Sequence, residues 1–263
     1  MNFETLAIEV NGAIGRLTLN RPERLNAMSS TMLRELAEAA HWFDSQPEVR
    51  VVIVRGAGRA FSAGADLNDT SRNAVDDSWP ARRAAAQAGS RMMDAIEAMK
   101  ATTIAGVHGY AVGGAVLLMA ACDLRVAAED AVFSIPEVEL GIPLAWGGIP
   151  RLVREIGPAM TKELVITCRR FTPQEAKAMG FVNRVVPPAD LEDQTMKLAE
   201  EIIAMPAVPV AITKEHVNAV TRAMASSSSY ADGDVLLSAF SSSESVEARK
   251  AYVERRLKRK DKN

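Results

Sequence analysis

The chain has 263 residues, 48% of them hydrophobic and 24% charged, with a formal net charge of −2. This is an ordinary soluble composition with ample material for a core, enough for one large domain or two small ones. The near-neutral balance leaves no electrostatic footprint for nucleic acid or for an anionic membrane surface, so neither is expected as a partner.

Ile14 to Leu19 alternates apolar and polar residues and stops at Asn20-Arg21-Pro22, the pattern of a half-buried strand ending in a turn. Ser29 and Ser30 are placed to cap a helix in which Leu33, Leu36, Ala37, Ala40 and Phe43 recur at helical spacing. Val51 to Val54 is a short apolar run closed by Gly56 and Gly58, hence a buried strand. A glycine-centred loop follows, Phe61-Ser62-Ala63-Gly64-Ala65-Asp66-Leu67. Residues 68–79 are polar and expected to be mobile. Arg82 to Met99 reads as one long helix, with Ala85, Met92, Met93, Ile96 and Met99 facing inward.

Thr103 to Val107 is a further buried strand, leading into a second glycine loop, Gly109-Tyr110-Ala111-Val112-Gly113-Gly114. A buried helix over Ala115 to Ala121 comes next. The hydrophobic stretch from Thr103 to Cys122 is long enough to raise the question of a membrane span. Gly106, Gly109, Gly113, Gly114 and His108 inside it favour strand, loop and helix instead. Leu124–Val126 and Ala131–Phe133 read as short strands, followed by an extended segment from Ile135 to Gly141. Gly147 and Gly148 open a helix through Arg151 to Ile156. Further helices are expected over residues 159–167, 172–179, 188–204, 209–225 and 243–260, with a strand over 182–186 and a break at 226–229.

Strands alternate with helices for about two thirds of the length and helices dominate thereafter, an α/β order with no linker that separates two domains. Cys122 and Cys168 lie in apolar stretches and read as buried hydrophobes rather than a disulfide, which fits a reducing, cytoplasmic compartment. No secretory leader is legible in Met1–Glu4. The basic run Arg255 to Lys260, with Lys262, suits a solvated helix C-terminus, with phosphate binding or a subunit contact as the other reading.

Several catalytic patterns are absent or incomplete. Gly56-Ala57-Gly58-Arg59-Ala60-Phe61 starts like a dinucleotide loop but has Phe61 in place of the third glycine. The sequence has neither a Gly-Lys-Ser/Thr phosphate loop nor a Gly-x-Ser-x-Gly elbow. The histidines, His41, His108 and His216, are far apart, and neither cysteine has a metal-spaced partner, so no metal site is expected. Ser62 and His108 remain a nucleophilic pair without a third member. More telling is the position of the two glycine loops. Each follows an apolar run and precedes a helix start, where backbone N–H groups lack helical partners and can point at a ligand. Two such loops facing one another would supply two donors for one developing oxyanion.

These loops, together with Pro136-Glu137, Leu140-Gly141, Arg21-Pro22-Glu23-Arg24-Leu25-Asn26-Ala27 and Cys122-Asp123, resemble the crotonase superfamily, the enoyl-CoA hydratase/isomerase family. The resemblance runs from Arg21 to the Glu254-Arg255-Arg256 tail. It implies a spiral of repeated ββα units over residues 1–190 carrying an acyl-CoA site. It also implies a helical trimerisation region over 191–263, the two forming one functional unit that assembles as a homotrimer or a dimer of trimers. By resemblance the oxyanion donors are the N–H groups of Ala65 and Gly114. Donors fixed in a dry site are worth several kcal/mol to a thioester carbonyl turning into an enolate. Leu25, Asn26, Ala27, Ala63, Asp66 and Leu67 fall where the family holds CoA, which is substrate rather than cofactor. Arg24 is placed either for a CoA phosphate or as a plain surface arginine. Asp66 is equally a helix N-cap.

Family hydratases carry two glutamates. Here the second is Glu137, whereas Leu117 occupies the first position. Leucine can neither activate water nor complete a proton transfer. The pattern of one apolar residue and one glutamate is that of the family's isomerases, in which a single carboxylate shifts a 3-enoyl double bond into conjugation. An apolar neighbour such as Leu117 would raise the pKa of Glu137. Glu139 is the rival base, because residues two apart in an extended segment share a face. Ala145 stands where some dienoyl isomerases carry an aspartate. Trp146 is placed either in the acyl pocket or in ordinary core packing.

Overall fold

The computed structural model describes residues 2–69, 78–225 and 231–260. The expected mobile segment at 68–79 therefore falls mostly outside the described residues, as does the break at 226–229. Leu6, Ile8 and Val10 alternate with Ala7, Glu9 and Asn11 in β1 (Leu6–Asn11), which pairs antiparallel with β2 (Ile14–Leu19). α1 (Ser30–Asp44) starts at Ser29, whose side chain accepts the N–H of Met32, and buries Leu33, Leu36, Ala40 and Phe43. β3 (Val51–Gly56) follows. The helix expected over Arg82 to Met99 is two helices, α2 (Trp79–Ala86) and α3 (Ala88–Glu97), broken at Gln87. The halves have different partners. Arg83 of the first pairs with Asp234 at 2.7 Å, while Met92, Met93 and Ile96 of the second are buried in the core. Ala85 is consequently exposed rather than inward.

β4 (Thr102–Val107), β5 (Tyr110–Val112) and α4 (Gly114–Ala121) account for the long hydrophobic stretch. No helix among the described residues is long and apolar enough to cross a membrane. β6 (Leu124–Ala128), β7 (Val132–Ser134) and α5 (Gly148–Thr167) come next, the last broken at Gly157-Pro158. α6 (Pro173–Ala178) is closed by a capping box in which Thr172 and Glu175 satisfy each other's backbone. β8 (Arg184–Val186), α7 (Leu191–Ile203), α8 (Ala207–Ala225), α9 (Asp232–Phe240) and α10 (Ser243–Lys260) complete the chain. Of these, β1, β5 and α9 have no counterpart in the elements expected from the sequence.

The main sheet has the order β1-β2-β3-β4-β6-β8 and is parallel from β2 onward. Buried on both faces, its strands carry continuous apolar runs such as Val51-Val52-Ile53-Val54. One face packs on α1, α3 and α4, and the other is covered by Leu198 and Ala199 of α7. A second, parallel ladder joins β5 to β7, and single bridges extend it: Ser62 with Ala111, Met28 with Ala65, and Phe133 with Phe171. The chain thus repeats one pattern: a strand in the main sheet, a short stretch in the second ladder, then a helix. It does so at β3, 62–65 and α2/α3, at β4, β5 and α4, and at β6, β7 and α5. This is the spiral of ββα units expected from the resemblance. Of the cysteines, Cys122 is buried and Cys168 only partly so; both are free thiols.

Candidate active site

The ends of the short ladder stretches converge on one cavity of about 1070 Å³, walled by parts of both glycine loops, the turn after β7 and the C-terminal helices. Ala65 illustrates how the backbone sets the chemistry. Its bridge to Met28 is made by the flanking groups: Met28 N–H donates to Gly64 O at 2.7 Å and Asp66 N–H to Met28 O at 3.0 Å. The N–H of Ala65 points the other way and has no acceptor among the described residues. In the adjacent coil Gly113 N–H donates to Ser134 O at 2.8 Å, and the next N–H, that of Gly114, opens α4 and is likewise unpaired among the described residues. The helix dipole adds positive field at that end.

Two glycines are required for this approach. A Cβ at Gly64, whose φ is +81°, would lie 2.2 Å from Val112 O and 3.4 Å from Gly114 N, so the two loops are in van der Waals contact. Gly113 has φ 54° and ψ −119°, a conformation favourable only to glycine, and a Cβ there would meet Glu137 Oε1 at 2.5 Å. The carboxyl of Glu137 thus lies against the second loop. The far end of α4 is held by arginines: Arg125 Nη1 donates to Met119 O and Cys122 O at 2.9 and 2.8 Å, and Arg154 Nη2 to Ala120 O at 3.2 Å. These cations satisfy the last carbonyls and complement the negative end of the dipole.

Residues 137–141 form a turn rather than an extended segment; Leu140 N–H donates to Pro136 O and Ile142 N–H to Glu137 O, both at 3.0 Å. A turn separates side chains that a strand would place on one face. Glu137 lines the cavity, whereas Glu139 is exposed and pairs with Arg255 at 2.8 Å. The Oε2 atom of Glu137 is sealed from solvent and has no hydrogen-bond partner among the described residues. Desolvation pushes its pKa up to about 7, only partly offset by a backbone hydrogen bond. Asp69, the other acid on the wall among the described residues, accepts the N–H and the hydroxyl of Ser30, each at 2.7 Å.

Of the residues singled out in the sequence, Ala63, Ala65, Leu67, Gly114, Leu117, Glu137 and Trp146 share the cavity wall. Trp146 is wedged between two glycines; its ring fills the space of a Cβ at Gly89 and at Gly114, at 2.2 and 2.3 Å. Ala145 is also on the wall and carries no acid. Arg24, Leu25, Ala27 and Asp66 lie behind it. Arg24 is exposed in a 3-10 turn, Leu25 O accepts Ala63 N–H at 2.9 Å, and Ala27 O accepts Arg21 Nη1 at 2.6 Å. Asp66 caps no described helix; it accepts Arg21 Nη1 at 2.9 Å and Asn68 N–H at 3.0 Å. Ser62 Oγ is buried and donates to Asn26 O, while His108 Nε2 sits on Gly58 O, which leaves no Ser62–His108 pair. The residues that sequence reasoning missed include a group from the C-terminal helices: Leu236, Leu237, Phe240, Arg249, Tyr252 and Val253 close the cavity. No local pattern distinguishes these from an ordinary amphipathic tail.

The profile of the enoyl-CoA hydratase/isomerase family matches residues 9–261. Over 256 residues the chain is 34% identical to the probable enoyl-CoA hydratase of Mycobacterium bovis, covering 97% of both chains. It is 31% identical over 258 residues to the short-chain-enoyl-CoA hydratase of Clostridium acetobutylicum, again with 97% of each covered. Among solved structures, an enoyl-CoA hydratase/isomerase from Xanthobacter autotrophicus Py2 superimposes with a TM-score of 0.87 at 29% identity, covering 98% of this chain and 99% of the other.

Proposed function

The chain belongs to the enoyl-CoA hydratase/isomerase family, and from that premise we propose that it is an acyl-CoA enzyme that moves a 3-enoyl double bond into conjugation with the thioester. The N–H groups of Ala65 and Gly114 hold the thioester oxygen. Glu137 removes a proton from the α-carbon, the resulting dienolate is stabilised by the two donors, and Glu137 returns the proton to the γ-carbon. No atom is gained or lost. Ala63 and Leu67 meet the CoA moiety on the cavity wall, Arg24, Leu25, Ala27 and Asp66 support that wall from behind, and Leu117 and Trp146 shape the space for the acyl chain. The observation that carries this reading is a carboxylate on the cavity wall with a sealed oxygen left unpartnered among the described residues. Glu137 lines the cavity with a sealed oxygen, while Leu117, on the same wall, brings no second acid.

Hydration is the second reading, favoured by the names of the relatives, which are enoyl-CoA hydratases. Offering 3-enoyl-CoA and 2-enoyl-CoA to the purified protein while following the conjugated thioester absorbance separates the two. Appearance of the conjugated product from 3-enoyl-CoA is expected. Its disappearance from 2-enoyl-CoA on addition of water would favour the hydratase, and binding without either change a non-catalytic acyl-CoA protein. Because the base must be ionised, kcat/KM for isomerisation should rise as pH increases through about 7 and then level. A profile already flat from about pH 5 upward would show the base titrating as an ordinary carboxyl, not one held in a desolvated state.

The proposal extends to a homotrimer or dimer of trimers. α8 rests on the body through polar contacts, Lys214 on Asp123 at 2.6 Å and Asn218 on Glu97 O at 3.3 Å. Val208, Ile212, Val217 and Val220 are left more than half exposed, an inverted arrangement for a solvated helix. Light scattering should give a mass of three or six chains, and introducing a lysine at Ile212 should lower it. A monomeric mass for the unaltered protein would sink this part.

A further inference from the structure

Arg249 of α10 is a cation on the wall of the cavity that holds Glu137, and the site as described gives it nothing to do. Its Nη2 atom is sealed from solvent and has no hydrogen-bond partner among the described residues. Its guanidinium is set by Phe240, whose ring centroid is 4.5 Å from the guanidinium carbon. The helix that carries it is anchored beside the catalytic turn, because Gly141 lets Ser245 and Ala248 approach so closely that a Cβ would lie 2.7 and 3.0 Å from them. Glu139, the exposed acid of that turn, is already taken by Arg255. Arg82, the other cation on the wall among the described residues, has a partner of its own.

A desolvated donor without an acceptor costs free energy, and a charged one costs more. A plain hydrocarbon chain in the cavity would leave that cost in place. A carboxylate would remove it, matching the planar donor fork of arginine with a charge-assisted hydrogen bond. We infer that Arg249 recognises a carboxylate at the distal end of the acyl chain, so that the preferred substrates are thioesters of dicarboxylic acids rather than of simple fatty acids. This rests on the acyl-CoA reading above and adds the chemistry of the tail. A thioester whose oxygen sits on Ala65 and Gly114 has its acyl chain in the same cavity as Arg249.

The test uses saturated thioesters, which bind but have no double bond to move. Calorimetry compares a straight-chain acyl-CoA with the acyl-CoA of equal length that ends in a carboxylate. The unaltered protein should bind the carboxylated thioester roughly tenfold more tightly or better. Arg249→Met, which keeps the bulk against Phe240, should bring that ratio to near one. Arg249→Lys should restore part of it as a point charge. Equal affinities in the unaltered protein overturn the inference, as does a preference that survives Arg249→Met. Equal weakening of both thioesters in Arg249→Met also overturns it, since the arginine would then serve CoA or the fold. Because binding is read without turnover, a protein that prefers the carboxylated thioester yet isomerises nothing would refute the proposed reaction and leave the inference standing.

Discussion

Glu137→Gln is expected to lower kcat for isomerisation by about a thousandfold or more, within the range usual for loss of a positioned acid–base group, and at the same time to stabilise the fold. The two effects share a cause. The carboxyl is desolvated, so its pKa stands at about 7 against an ordinary 4.5. Between those values the folded protein holds a proton that the unfolded chain has released, so stability falls as pH rises through that window and stays lower above it. The difference corresponds to roughly 3 kcal/mol, and glutamine never ionises. Urea unfolding at about pH 5 and about pH 8.5 should show the unaltered protein losing stability with pH while Glu137→Gln does not. A variant that is inactive but no more stable at high pH would mean that Glu137 acts without being held in a costly state.

Gly64→Ala is expected to reduce kcat/KM by two to three orders of magnitude, the usual consequence of losing an oxyanion donor. The new methyl would lie 2.2 Å from Val112 O, against backbone that cannot swing aside as a side chain can. Relief requires the 62–65 stretch to move off β5, which carries Ala65 away from Gly114. The positive φ of +81° adds strain of its own. Gly12→Ala serves as the control, because Gly12 also has a positive φ, +57°, but no atom within 4 Å of the added carbon. That variant should lose about 1 kcal/mol or a little more and keep full activity. Full activity in Gly64→Ala would show that the close approach of the two loops is not what activates the carbonyl.

Most of the site was legible because it is built from backbone, and backbone geometry leaves marks in the sequence. Gly64, Gly113 and Gly114 are glycines since nothing else fits, and they lie between apolar runs and helix starts. Glu137 was legible as a candidate but could not be separated from Glu139 by periodicity. The turn that separates them is fixed by Ile142 N–H and Leu140 N–H folding back onto Glu137 O and Pro136 O. The break at Gln87 was not legible either. Ala84-Ala85-Ala86-Gln87-Ala88 has high helix propensity throughout, and the interruption arises because α2 packs on α9 while α3 packs on α1, with Gln87 lying against Gly233. Arg249 was hidden for a related reason. It stands among the polar and charged residues of a terminal helix, and only the tertiary placement of that helix over the cavity distinguishes it from its solvated neighbours.

The coils of the spiral divide the labour at this site. The coil after β3 delivers Ala65, the coil after β4 delivers Gly114, and the coil after β6 delivers Glu137. Neighbouring rungs of a ladder are locked at about 4.8 Å, so the first two fix the spacing of the two proposed donors as a matter of fold. The third coil hangs its acid on a turn whose side chains can change without disturbing that spacing. In the proposed reaction the two donors and the base therefore stand on separate coils. Position 117 lies one turn into α4, on the coil that carries Gly114, so its side chain can differ without touching the turn that carries Glu137.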